Sequence, residues 1–170
     1  VFDIPQQRAV GRFVADHFRS IITGRSYTWY LHDASDYLAR VDDLLSVGRY
    51  EVVHVDSLDL VRLLDMLPLD RTSCTHHNIE SDLLAQRATT EMATWRRKYV
   101  EYQSRLVRKV EERWAPRVAL NLCMSQNDAN RLSRVAPGSR VVVVPNGVDD
   151  EFFSPQTVQR NQGLVFVGGT

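Results

Sequence analysis

Along this chain the spacing of apolar positions changes several times, and each change marks an element. Val10, Phe13, Val14, Phe18, Ile21 and Ile22 recur at threes and fours, the period of one helix face. Pro5 offers a start and Gly24 a stop, so the segment reads as an amphipathic helix, a pattern that ordinarily turns its apolar side inward. Tyr27, Trp29, Tyr30 and Leu31 follow without a resolvable period. Asp33 then stands where it can cap a second helix carrying Ala34, Tyr37, Leu38, Val41, Leu44 and Leu45 on one side, with Gly48 as its C-cap.

The period then shortens. Glu51 to Asp56 packs three valines into a run too continuous for a strand with one wet face, so it reads as an interior strand of a parallel sheet. Ser57 can cap a short helix through Leu58, Leu60, Val61 and Leu64 that ends before Pro68. Thr72 to His76 is the next strand and feeds His77-Asn78-Ile79-Glu80-Ser81. From near Ser81 the series Ala88, Met92, Trp95, Tyr99, Tyr102, Leu106, Val110, Trp114 advances by threes and fours with no proline or glycine before Pro116. It predicts one long helix, or two separated by a bend near Ala88 to Thr94, with an aromatic stripe that packs on a domain more readily than in a coiled coil.

Val118 to Met124 is a third strand, and Ser125 opens a capped helix with Asp128 three residues on. Pro137-Gly138 ends that helix, and Arg140 to Val144 reads as another buried strand. This alternation folds, through right-handed crossovers, into an α/β Rossmann-like parallel sheet with helices on both faces. Thr157 to Gly163 reads as an exposed connection, and Leu164 to Val167 as the first strand of something new.

Composition narrows the function classes. The chain has 170 residues, 44% of them hydrophobic and 25% charged, enough for one domain with a real core. Its 21 basic and 21 acidic side chains cancel, so no overall positive field argues for a nucleic-acid partner, and no recognition module accompanies the local charge. No apolar run approaches a membrane span and no leader pattern opens the sequence, which fits the cytoplasm. Cys74 and Cys123 have neither a CxxC partner nor a disulfide spacing and read as buried thiols. Arg96, Arg97, Lys98, Arg105, Arg108, Lys109, Arg113 and Arg117 make the long helix basic. Such a helix reads either as a solvated face or as a peripheral contact with the inner face of an anionic membrane or with an acidic acceptor.

In an open parallel sheet, ligands gather outside the carboxyl ends of the strands. Asp56-Ser57, His76 to Glu80, and Ser125 fall there. His77 is the leading candidate, since a histidine at a strand end beside a helix N-terminus can donate to a substrate oxygen; the alternative is a loop-packing role. Asp56 can bind sugar hydroxyls or position a base, or it and Ser57 can simply cap the next helix. His54 reads as a satisfied core histidine. His76, His77 and Glu80 lack the spacing of a metal motif. No GxSxG elbow and no GxGxxG turn are present, while Gly168-Gly169 after a strand can open a phosphate-binding loop.

Together these segments resemble the retaining, nucleotide-sugar-dependent glycosyltransferases of family 4, which have the two-domain GT-B fold. Glu51-Val52-Val53-His54-Val55-Asp56 is similar to the family's DVVHxH strand, with Glu51 and Asp56 as departures, and Thr75 to Ser81 is similar to its xxHNIES segment. Pro145-Asn146-Gly147-Val148-Asp149, with Phe152 and Pro155, is similar to the PNGVDxxxFxP connection, and Leu164 to Gly169 to the opening strand and turn of the second domain. The resemblance implies an acceptor-side domain over residues 1–145, a connection over 146–163, and the start of a donor-binding domain over 164–170. It implies that His77 contacts the transferred sugar or its phosphate, that Asp56, Ser57, Asn78 and Glu80 line the substrate site, and that Gly168 and Gly169 approach the donor diphosphate. It further implies a nucleotide-sugar donor, a sugar, lipid-linked or small-molecule acceptor, and no metal or other cofactor. The family's first strand and glycine loop are expected before Pro5, and its paired glutamates after Thr170, so the chain reads as a middle portion of such an enzyme.

Two rivals stay open. A nucleotide-sugar epimerase of similar fold would need acid/base carboxylates to eliminate and re-add the nucleotide. A non-catalytic interaction domain would use the basic aromatic helix, and would lose its partner when Trp95 or Tyr99 is changed.

Overall fold

The computed structural model describes residues 10–152. Helix α1 (Val10–Thr23) is followed by a single helical turn, α2 (Thr28–Leu31), and by α3 (Ser35–Val47). Then come strand β1 (Val53–Val55), a 3-10 turn (Leu58–Leu60) running into α4 (Val61–Leu64), a second 3-10 turn (Leu69–Arg71) and β2 (Thr72–His76). Helices α5 (Glu80–Thr90) and α6 (Thr94–Trp114) lead to β3 (Leu120–Cys123), α7 (Gln126–Val135) and β4 (Val141–Val143). The strands lie parallel in the order β1-β2-β3-β4, with Val53 opposite Thr72, Ser73 opposite Leu120 and Asn121 opposite Val141. This is the α/β Rossmann-like sheet that the alternation predicts.

Sequence order and spatial order coincide, so every crossover steps the same way. Right-handed crossovers that all step one way leave their helices on one face. Val53, Val55, Cys74, Cys123, Val141 and Val143 share that face and belong to or pack against the two apolar clusters of the domain. His54, Ser73, Thr75, Leu120, Leu122 and Val142 share the other face, and neither cluster contains any of them. The expectation of helices on both faces is therefore corrected for the described residues. So is the expectation of fully buried β1 and β4: each has a neighbour on one side only among the described residues, and Val52, Val142 and Val144 are exposed.

The stretch after Ser81 forms two helices. Thr89 Oγ1 donates to the Gln86 carbonyl and Thr90 Oγ1 to that of Arg87, local bonds that compete with helix continuation. Glu91 then turns extended and its side chain accepts from Ala93 N–H at 3.1 Å. In the aromatic stripe, Ala88, Leu106 and Trp114 are buried, whereas Met92 and Trp95 are exposed. The reason is geometric. Ser81, at the carboxyl edge of the sheet, is bound to Ser104 and Glu111, while Trp114 leads back toward the start of β3. The first ten residues of α6 accordingly run about 15 Å beyond that edge.

Helix α1 reverses its expected orientation. Asp16 and Ser20 on its polar side are fully buried, while Val10, Phe13, Val14, Phe18, Ile21 and Ile22 are all exposed. Buried polar groups need partners, and these have them: Asp16 accepts from Arg12 Nε at 2.8 Å, and Ser20 Oγ donates to the Arg25 carbonyl at 2.6 Å. Gln103 of α6 donates to Ser20 Oγ at 2.7 Å and accepts from Tyr27 N–H at 3.1 Å. The helix closes at Gly24, whose φ of +64° favours glycine. Asp33 does not cap α3, whose N-cap is Ala34 without a side-chain bond; it pairs instead with Arg62 at 3.6 Å. The connection from residue 146 is described as far as Phe152, and the strand expected at 164–170 lies outside the described residues.

Candidate active site at the carboxyl edge

Asp56 follows β1 and His77 follows β2, and because these strands are neighbours the two residues meet. His77 Nε2 lies 3.4 Å from Asp56 Oδ1, with both side chains well exposed. His54 joins them from the uncovered face of β1: its Nε2 is 3.9 Å from Asp56 Oδ1. Its ring is held at both nitrogens, Nδ1 by Ser73 Oγ at 2.8 Å and Nε2 by Thr75 Oγ1 at 3.1 Å. The core-histidine expectation is thus corrected. His54 is satisfied but exposed, because among the described residues no helix covers that face of β1.

The histidine that does belong to the core is His76. It is 3% exposed, and its Nε2 lies 2.9 Å from Asn121 Oδ1. Asn121 in turn donates to the carbonyls of Ala115 and Arg140. Burial lowers the His76 pKa below its ordinary value, opposed by the Asn121 bond. With His76 locked inward, alternation sends His77 out to the edge.

Ser57 resolves as a cap: its Oγ accepts from Asp59 N–H at 3.1 Å and starts the 3-10 turn. Ser125 likewise caps α7, accepting from Asp128 N–H at 3.1 Å. Asn78 is exposed beside His77, and Glu80 is half-buried in the first turn of α5. Burial raises the Glu80 pKa, and Asp59 adds to this, while a hydrogen bond from Asn78 and the nearby His77 work against it. Asp56, His77, Asn78 and Glu80 therefore form one polar edge around the N-terminus of α5, where the helix favours negative charge. Gly168 and Gly169 lie outside the described residues.

One positioning group escaped the sequence pattern. Glu111 is fully buried and accepts from both the N–H and the hydroxyl of Ser81, at 3.1 and 2.5 Å. Burial raises its pKa and the two Ser81 bonds lower it. The signal was available, since Ser104, Val107, Glu111 and Trp114 step by three and four and all are buried. Cys74 and Cys123 are buried free thiols, pushed by burial up to about 12 and about 11 respectively, hence inert. Among the described residues no three histidine, cysteine or carboxylate side chains gather in a metal-holding arrangement, and no helix is long and apolar enough to cross a membrane.

A family model described as Glycosyltransferase Family 4 matches residues 3–152. This chain belongs to glycosyltransferase family 4. The match spans all of the described residues, including the whole polar edge of this glycosyltransferase domain. Comparisons with curated proteins and with solved structures return no significant match. Membership makes the domain transferase-type, with sugar-related substrates.

Proposed function

We propose that this family 4 domain is the acceptor side of a retaining glycosyltransferase that moves a sugar from a nucleotide-sugar to an acceptor hydroxyl. The observation that carries the reading is the meeting of Asp56 and His77 at 3.4 Å on the carboxyl edge, in a sheet class whose ligands gather at that edge. In the transfer, the bond between the anomeric carbon and the diphosphate oxygen breaks, and the acceptor oxygen bonds that carbon on the same face. The acceptor proton passes to the leaving diphosphate, and nucleoside diphosphate departs. His77 donates to an oxygen of the transferred sugar or its phosphate, and Asp56 fixes the imidazole's direction. Asn78 and Glu80 hold sugar hydroxyls, and the α5 N-terminus favours the charge of the leaving group.

The test is nucleoside diphosphate release by the full-length protein from a panel of nucleotide-sugars, with the product anomer read by NMR. We expect retention of configuration, and a loss of roughly 100-fold in turnover for His77→Ala, the lower range for a positioned proton-transfer or donor group. Inversion at the anomeric carbon overturns the retaining reading, and unchanged turnover removes His77 from the mechanism.

A further inference from the structure

Beyond the polar edge, a cavity of about 470 Å³ opens between α1, the end of α5 and the projecting half of α6, lined by Phe13, His17, Tyr27, Arg87, Arg96 and Tyr99, with Glu91 and Gln103 at its wall. The rings form a cluster: His17 lies 4.2 Å from Phe13, 5.0 Å from Tyr27 and 5.6 Å from Tyr99, the last pair stacked. Arg87 and Arg96 make no ion pair among the described residues. The one carboxylate at the wall among the described residues, Glu91, accepts from Ala93 N–H. Of the polar atoms in this wall, His17 Nδ1 is buried without a hydrogen-bond partner, and the buried Tyr99 hydroxyl has the Gln103 side chain within bonding reach. Gln103, which lies against that hydroxyl, is held by Ser20 and Tyr27. The cavity also adjoins the candidate active site. Tyr27 and Leu84 form its wall toward a second, smaller pocket that Glu80 lines, and Glu80 neighbours His77.

We propose that this cavity is a binding site for a ring-bearing anion, its ring packed on Phe13, Tyr27 and Tyr99 and its carboxylate or phosphate held by Arg87 and Arg96. Aromatic walls favour a flat ring or the apolar face of a pyranose. Two guanidiniums against one carboxylate favour an anion, and arginine is suited to bidentate recognition of carboxylate or phosphate. Assigning the ligand as the acceptor rests on the transferase reading above; its chemical class does not.

Calorimetric titration of the full-length protein without donor tests this, using 2-naphthyl phosphate, glucuronate and inorganic phosphate as probes. We expect saturable one-to-one binding of a ring-bearing anion, with naphthyl phosphate favoured for an aryl ligand and glucuronate for a saccharide. Inorganic phosphate should bind at least about tenfold more weakly, the consequence of losing roughly 1.4 kcal/mol of ring contact. Arg87→Gln with Arg96→Gln, both exposed side chains, should weaken the ring anion by a similar factor. Tyr99→Leu should weaken it while leaving inorganic phosphate unaffected. Equal binding of inorganic phosphate, indifference to the arginine pair, or no saturation with either ring anion overturns the proposal. Nucleoside diphosphate release from nucleotide-sugars, followed in parallel, separates the two readings. Donor turnover without ring-anion binding overturns the cavity alone, and ring-anion binding without donor turnover overturns the transferase reading alone.

Discussion

Helix α1 and helix α7 show the same kind of sequence periodicity and opposite burial. In α7 the apolar residue Leu132 is fully buried against Cys123, Ala129 and Ala136, as the pattern predicts. In α1 the apolar side faces out, and Asp16 and Ser20 face in. Periodicity therefore tells how wide a stripe is, while the partners available across the fold decide which way it turns. Helix α7 meets the apolar face of the sheet. Helix α1 meets Gln103 and the backbone of the α1–α2 turn, and there hydrogen bonding fixes the orientation.

The largest expected effect lies on the conventional side of this contrast. Leu132→Ala should destabilise the chain by about 2–5 kcal/mol, the cost of deleting a fully buried leucine, measured by urea unfolding. A cost under about 1 kcal/mol would mean the region beneath α7 is loosely packed. Next comes Glu111→Ala, which strips Ser81 of its acceptor and should cost about 1–3 kcal/mol. It should also lower transferase turnover, because Ser81 follows the His77 to Glu80 edge. A stability loss with unchanged turnover would separate that anchor from the site.

A smaller effect should appear on acidification. Burial holds the His76 pKa below its ordinary 6.5, so the folded state binds that proton less readily than the unfolded chain does. The stability it confers is complete above about pH 6.5 and is lost as the pH falls toward the lowered value. His17 and His32, also lowered by burial, act in the same direction. Unfolding midpoints at pH 7.5 and 5.5 should therefore decline, and His76→Gln should flatten part of that slope. An unchanged slope would assign it to the other histidines. Smallest of all, Phe18→Ser or Ile22→Ser on α1 should shift stability by no more than about 0.5 kcal/mol. A loss as large as that of Leu132→Ala would show that the outward face of α1 is covered in solution.

Much of the scaffold was legible. Thr72 to His76, the Ser125 cap and the stop at Pro137-Gly138 stand as read, because each depends on chemistry local to a few residues. Of the candidate site, the nearness of Asp56 and His77 follows from placing both after strands, but only pairing of β1 with β2 makes them neighbours. His54 was misplaced because alternation marks two faces without telling which one a helix covers. Ser73 and Thr75, polar at alternate positions of the next strand, held that clue. Glu111 shows in the sequence only as a step with Ser104, Val107 and Trp114, and the bond it makes to Ser81, 30 residues away, has no signature of its own there.

Asn121 carries a consequence for how sequences of this kind diverge. One amide holds His76 and two carbonyls that belong to different chain crossings, Ala115 and Arg140. A lineage that replaces either side chain alone strands a donor or an acceptor in the dry interior. Positions 76 and 121 should consequently be inherited as a couple, changing together or staying fixed, while the exposed neighbour at 77 drifts or is conserved according to the substrate it serves.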